Sequence, residues 1–165
     1  MRERHPATDS HWYNRWERPT DAQLMAPYDE PIDTLLPKLF RLAAEQVPGL
    51  QRQLRWHGVS WRWVYEYTAP TQDGGREVLF YFIPNPLEHL IAVPMSPEML
   101  QHIPLRRLNR YVRDNIRTAR WSVQVRWGRW TPSNNPEVDH LADLIKRKGK
   151  ILMGESSSQK RLAAS

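Results

Sequence analysis

The chain has 165 residues, 40% of them hydrophobic, with no cysteine and a net charge of +6. That length suits one compact domain with tails and does not call for a second full one. The lack of cysteine excludes disulfides, thiol nucleophiles and cysteine-ligated zinc in one step. Charge is placed unevenly: residues 51–130 carry 12 basic and 6 acidic side chains, residues 1–50 carry 6 and 8, and Arg supplies 19 of the 24 basic residues. An arginine excess of this kind fits recognition of phosphate or carboxylate by a planar fork, and fits equally a GC-rich genome.

Residues 1–18 read as an irregular N-terminal arm, in which charges mix with His5, His11, Trp12, Tyr13 and Trp16 and no period is sustained. The aromatic cluster is too apolar for a solvated tail, so Trp12 and Trp16 are expected to dock on the domain or on a partner. Met1–Trp16 shows no apolar run and no stretch approaches membrane-spanning length, so the expectation is a cytoplasmic protein with no membrane partner. Thr20–Met25 has the form of a capped helical turn. From Ile32, the residues Leu35, Leu36, Leu39, Phe40, Ala43 and Val47 keep one helical face in phase. Pro37 lacks an N–H, so the regular helix is expected to start near Asp33 or Thr34, with a kinked longer helix as the alternative. Val47-Pro48-Gly49 ends it.

Leu54–His57 reads as a short strand leading to Ser60–Tyr67, where Trp61, Trp63, Tyr65 and Tyr67 alternate with Arg62, Val64 and Glu66. Period-two alternation marks a half-buried strand, so Trp63 and Tyr65 are expected as core anchors, with Arg62 and Glu66 facing the other way. The loop at residues 69–75 returns the chain into Glu77–Ile83, making a hairpin; its Gly74-Gly75 lacks the lysine and following helix of a phosphate loop. Leu87–Met95 reads as a third strand buried on both faces. Ser96-Pro97-Glu98 opens a short helix that Pro104 stops.

Leu105–Arg117 reads as one amphipathic helix, with Leu105, Leu108, Val112 and Ile116 on one side and Arg106, Arg110, Arg113 and Arg117 in a stripe beside them. Trp121–Trp127 alternates as a fourth strand. Asn135-Pro136-Glu137 opens a last helix in which Val138, Leu141, Leu144 and Ile145 face the core, Lys146, Arg147 and Lys148 occupy the last turn, and Gly149 closes it. Residues 153–165 are serine-rich and polar, a disordered tail. Together these parts give a single α+β domain over residues 19–152, an antiparallel sheet of about four to five strands flanked by helices.

Five landmarks stand in order: Pro19-Thr20-Asp21, Trp61-Arg62-Trp63, Leu79-Phe80-Tyr81-Phe82-Ile83-Pro84, Arg120-Trp121-Ser122-Val123 and Leu141-Ala142-Asp143-Leu144-Ile145-Lys146. This order resembles a family of small bacterial domains of unknown function, itself related to YdhG-like α+β domains. The resemblance implies a helix-flanked antiparallel sheet and no assigned activity. Some YdhG-like relatives are thought of as frataxin-like iron carriers, which would require clustered carboxylates. Asp29, Glu30 and Asp33 form the densest acidic group here, and they read as a solvated helix start.

For catalysis, Glu66, Glu88, His89 and His57 lie on or near strands where a cleft could gather them. No nucleophile elbow, His-Glu-x-x-His or glycine-rich dinucleotide turn is present, and the six histidines show no metal spacing. The reading therefore leans away from an enzyme, and it includes no cofactor and no metal. It favours a binding or interaction module whose candidate surface is Arg106, Arg110, Arg113, Arg117 and Arg120 with Trp12 and Trp16, meeting a nucleic acid or an acidic protein. The alternatives are a single-stranded nucleic-acid-binding protein, supported also by Arg126, Arg129 and the abundant Trp and Tyr, and a small enzyme with a carboxylate or histidine site in a sheet cleft. For the arginines, a merely solvated helix face is the plain alternative.

Overall fold

The computed structural model describes residues 10–154. In chain order the elements are α1 (Ser10–Tyr13), α2 (Asp21–Met25), α3 (Ile32–Gln46), β1 (Gln51–His57), β2 (Arg62–Pro70), β3 (Arg76–Ile83), β4 (Leu90–Met95), α4 (Pro97–His102), a 3-10 turn (Leu105–Arg107), α5 (Arg110–Thr118), β5 (Arg120–Ser122), β6 (Val125–Trp130) and α6 (Asn135–Leu152). The six strands form one sheet in the order β1-β2-β3-β4-β6-β5, and every neighbouring pair is antiparallel. The fold is α+β with helices against an antiparallel sheet, and it has six strands rather than four to five. Among the described residues no helix is long and apolar enough to cross a membrane.

The pleat sorts the strand residues onto two faces. Trp63, Tyr65 and Tyr67 of β2, Phe80 and Phe82 of β3, Ile91, Val93 and Met95 of β4 and Trp130 of β6 share one apolar cluster with Leu36 and Leu39 of α3, Ile116 of α5 and Leu141 and Ile145 of α6. Cross-strand rings set the register there: Tyr67 stacks on Phe80 at 4.3 Å and Tyr65 on Phe82 at 5.7 Å. Each large side chain buried this way contributes about 1.5–3 kcal/mol. Trp12 of α1 is also buried in this core, and Trp63 Nε1 donates to the Asn14 carbonyl at 2.9 Å. On the opposite face Val64, Leu90 and Ala92 are buried but stand outside that cluster. Among the described residues, the helices that join the core pack against the other face.

Several expectations change. Trp61 is not on the pleat of β2: its φ is +50° and its side chain is exposed, because the strand starts only at Arg62 after the turn from His57. The third strand begins at Leu90 rather than Leu87, since Asn85 holds a local turn by accepting from the Leu87 and Glu88 amides. Helix α3 starts at Ile32 and runs through Pro37, which removes only its own N–H from the ladder. The segment Leu105–Arg117 is not one helix. Asn109 caps α5 by accepting from Tyr111 N at 2.9 Å, and the preceding residues form a separate 3-10 turn.

Trp121–Trp127 is not one strand either. It folds back at Val123-Gln124, both at positive φ, into the β5–β6 hairpin. Nor does Gly149 end α6, which runs on to Leu152; the glycine is there because a Cβ would stand 3.1 Å from Val47 Cγ2, where the end of α3 packs. Lys148 is buried rather than placed at the helix end for its dipole, and its Nζ donates to the Pro94 carbonyl. Of the C-terminal tail only Met153 and Gly154 are described, and they close α6 by backbone bonds to Gly149 and Ile151; residues 155–165 lie outside the described residues, as do residues 1–9 of the arm.

Candidate functional site

From Leu105 to Trp130 the chain holds eight arginines and one acid, Asp114. The fold sets α5 against β6, beside the β5 edge of the sheet. Asn115 of α5 clamps the Arg129 backbone, donating to its carbonyl and accepting from its N–H at 3.2 Å, and Arg126 donates to the Ile116 carbonyl at 3.2 Å. Arg106 and Arg107 on the 3-10 turn, Arg110 and Arg117 on α5, Arg120 on β5 and Arg129 on β6 are exposed. The other two are committed inward: Arg113 is half-buried and its Nε makes no hydrogen bond, and Arg126 lies over the Trp121 ring at 4.6 Å. Asp114 serves Arg110 at 3.1 Å and Arg113 at 3.7 Å. Thus Arg110, Arg113 and Arg117 share α5, whereas Arg106 lies on the separate 3-10 turn and Arg120 on the edge strand β5.

The two tryptophans proposed with them do not join this surface. Trp12 is 2% exposed, inside the core and unavailable to a partner. Trp16 is 87% exposed, with the Arg15 guanidinium 5.1 Å from its ring, near the opposite side of the fold where α1 meets β2.

The sheet face opposite the described helices carries a row of rings that sequence reading missed. His57 lies 6.4 Å from Tyr81, and Tyr81 lies 5.9 Å from Trp127, so the row crosses from β1 over β3 to β6. The small Ala92 and Pro94 of β4 sit between Tyr81 and Trp127, which lets those rings lean together. Arg120 stands directly across from Trp127, and Arg129 is two residues along on the same face. At the other end Arg55 pairs with Glu66 at 3.2 Å. Burial, then the Glu66 charge, raises the Tyr81 hydroxyl above its ordinary range.

On the helix side, a cleft of about 190 Å³ is lined by Met25, Pro37, Phe40, Tyr67 and Phe82, with Asp21, Arg52 and Tyr65 at its polar end. A capping box at Thr20 and Gln23 fixes the start of α2 and so places Asp21. The Asp21 carboxylate accepts from the Tyr65 hydroxyl at 2.5 Å and from Arg52 at 2.9 Å. The Tyr65 bond, followed by Arg52, holds Asp21 below the usual carboxylate range against desolvation, while burial and then Asp21 raise the Tyr65 hydroxyl. All three polar groups satisfy one another, so the cluster works as a lock between α2 and β1–β2.

The residues named for catalysis do not converge. His57 Nδ1 meets Ser60 Oγ at 2.6 Å in the β1–β2 turn, Glu66 is held by Arg55, and His89 Nε2 contacts the Pro132 carbonyl at 2.7 Å beside Tyr28. Glu88 is exposed. Among the described residues no three His, Asp or Glu side chains come together to hold a metal. No protein-family model matches the chain, and neither the curated proteins nor the solved structures provide a match.

Proposed function

We propose that the protein is a binding module for a polyanionic partner, engaged through the arginine-rich edge formed by the 3-10 turn, α5 and the β5–β6 hairpin. One observation carries this reading: the segment from Leu105 to Trp130 presents six exposed arginines, and its single acid is already shared by Arg110 and Arg113. A guanidinium without a local carboxylate keeps its field for an incoming anion, and an arginine fork suits phosphate or carboxylate. The scatter of His57, Glu66, Glu88 and His89 favours binding over chemistry. A cytoplasmic setting goes with this reading. Kinship with YdhG-like domains, carried by the order of the landmarks, is part of the proposal and lends it no activity.

The test is a titration of labelled heparin and of a base-free phosphate oligomer at several salt concentrations. Binding should weaken steeply with salt. Replacing Arg110 and Arg117 by Gln should lower the slope of log K against log salt by about 0.7 per lost phosphate contact, with the circular dichroism spectrum unchanged. No binding to either polyanion at low salt would retire the reading.

A further inference from the structure

We propose that the sheet face opposite the described helices is a single-strand platform, on which a nucleic acid stacks bases on Tyr81 and Trp127 and sets its phosphates on Arg120 and Arg129. The inference rests on the polyanion reading and names the polyanion. Its first support is the composition of the face. Tyr81 and Trp127 are half-buried, so the sheet fixes their rings while leaving part of each open, and His57 extends the row. A fixed ring costs little entropy on stacking, and every base has a π-face to offer it.

The second support is charge. Arg120 and Arg129 flank Trp127 on the same side of the sheet, are both exposed, and have no carboxylate within ion-pair distance among the described residues. Glu66 is the carboxylate beside Tyr81, and Arg55 neutralises it. Helix α5, which carries the exposed Arg110 and Arg117, is tied through Asn115 to the Arg129 backbone.

Other occupants fit less well. A second copy of the chain would need apolar area to bury, yet Val64, Leu90 and Ala92 are already covered by their own neighbours. An acidic protein would use the arginines and leave the rings idle. A duplex hides the faces of its bases from both rings.

Fluorescein-labelled 12-nucleotide oligothymidine and oligouridine are titrated against an abasic strand of equal length. Either base-bearing strand should bind at least tenfold tighter than the abasic one. Tyr81→Leu and Trp127→Leu should each remove about fivefold or more of that preference, and abasic binding should stay unchanged. To guard against a variant that fails to fold, the unaltered chain is photocrosslinked to a 5-iodouridine oligomer, with adducts expected on Tyr81 and Trp127. Equal affinity for base-bearing and abasic strands, or adducts confined to α5, would overturn the platform while leaving the basic edge in place. Tighter binding of polyglutamate than of either oligonucleotide would overturn it in favour of an acidic protein. Absence of binding to every polyanion would remove both proposals.

Discussion

Among the described residues Lys148 is the charged side chain that the fold has buried, 1% exposed on α6 with the Pro94 carbonyl of β4 as its acceptor. A lone carbonyl satisfies one of three ammonium protons, so the charged form is poorly solvated there. Burial, opposed only weakly by Glu77, pulls its pKa down to about 7 from 10.5. Unfolded, the amine keeps its proton to about 10.5, so between pH 7 and pH 10.5 the unfolded chain binds more protons and stability rises with pH. The penalty is complete below pH 7 and gone above pH 10.5, a swing of about 4–5 kcal/mol. Lys148→Met, close in volume and without charge, should flatten that slope and raise stability most at pH 6. Urea midpoints from pH 6 to pH 10 measure it, and a slope equal to that of the parent would show that the ammonium reaches water. The buried anchors were easier to foresee: Trp63 and Tyr65 alternate with polar neighbours, and they stand at 8% and 3% exposure. Lys148 was not, because a cation near a helix end satisfies the dipole rule equally well outside the core.

Period-two runs within one strand were legible, and the breaks between elements were not. The Trp121–Trp127 alternation continues in phase across Val123-Gln124, and that pair carries none of the Asn, Asp or Gly residues that announce a two-residue hairpin. The turn forms anyway, with φ of +46° at Val123 and +63° at Gln124. A β-branched residue in that region is strained by roughly 1–2 kcal/mol, and Val123 is 93% exposed, so no packing compensates locally. Changing Val123 to Asn together with Gln124 to Gly should therefore stabilise the protein by about 1 kcal/mol. The measurement is the shift in denaturant midpoint; a loss of stability would mean that Val123 makes a contact the fold requires. Asn109 posed a similar problem. Its side chain caps α5 and cuts Arg106 away from the stripe, yet the leucine and arginine spacing runs through it without a gap. The platform rings were out of reach for a different reason: Tyr81 and Trp127 lie far apart along the chain and become neighbours only through the β3-β4-β6 order.

For the whole molecule, the first consequence concerns the N-terminal arm. Trp12 fills the core and the Asn14 carbonyl accepts from Trp63, so this segment belongs to the packing of the domain. Trp12→Ala should cost about 3–5 kcal/mol, read as a lowered urea midpoint with the sheet signal retained at low urea; an unchanged midpoint would mean that the arm is only laid on the surface. The second concerns the sheet itself. Strands β1 to β4 pair with their neighbours in sequence, whereas β6 reaches β4 only after residues 96–124 have been threaded through α4, the 3-10 turn, α5 and β5. Closing that long segment costs more chain entropy than closing a hairpin. Amides of β5 and β6 should accordingly exchange with deuterium at lower opening free energy than those of β2 and β3, and equal protection across the sheet would contradict this. The β4–β6 ladder is thus a seam between a locally stitched meander and a late-arriving hairpin. A strand lying across Tyr81 and Trp127 would straddle that seam like a clasp, so its binding would hold β5–β6 shut and raise the free energy of that local opening by the same increment as the global stability.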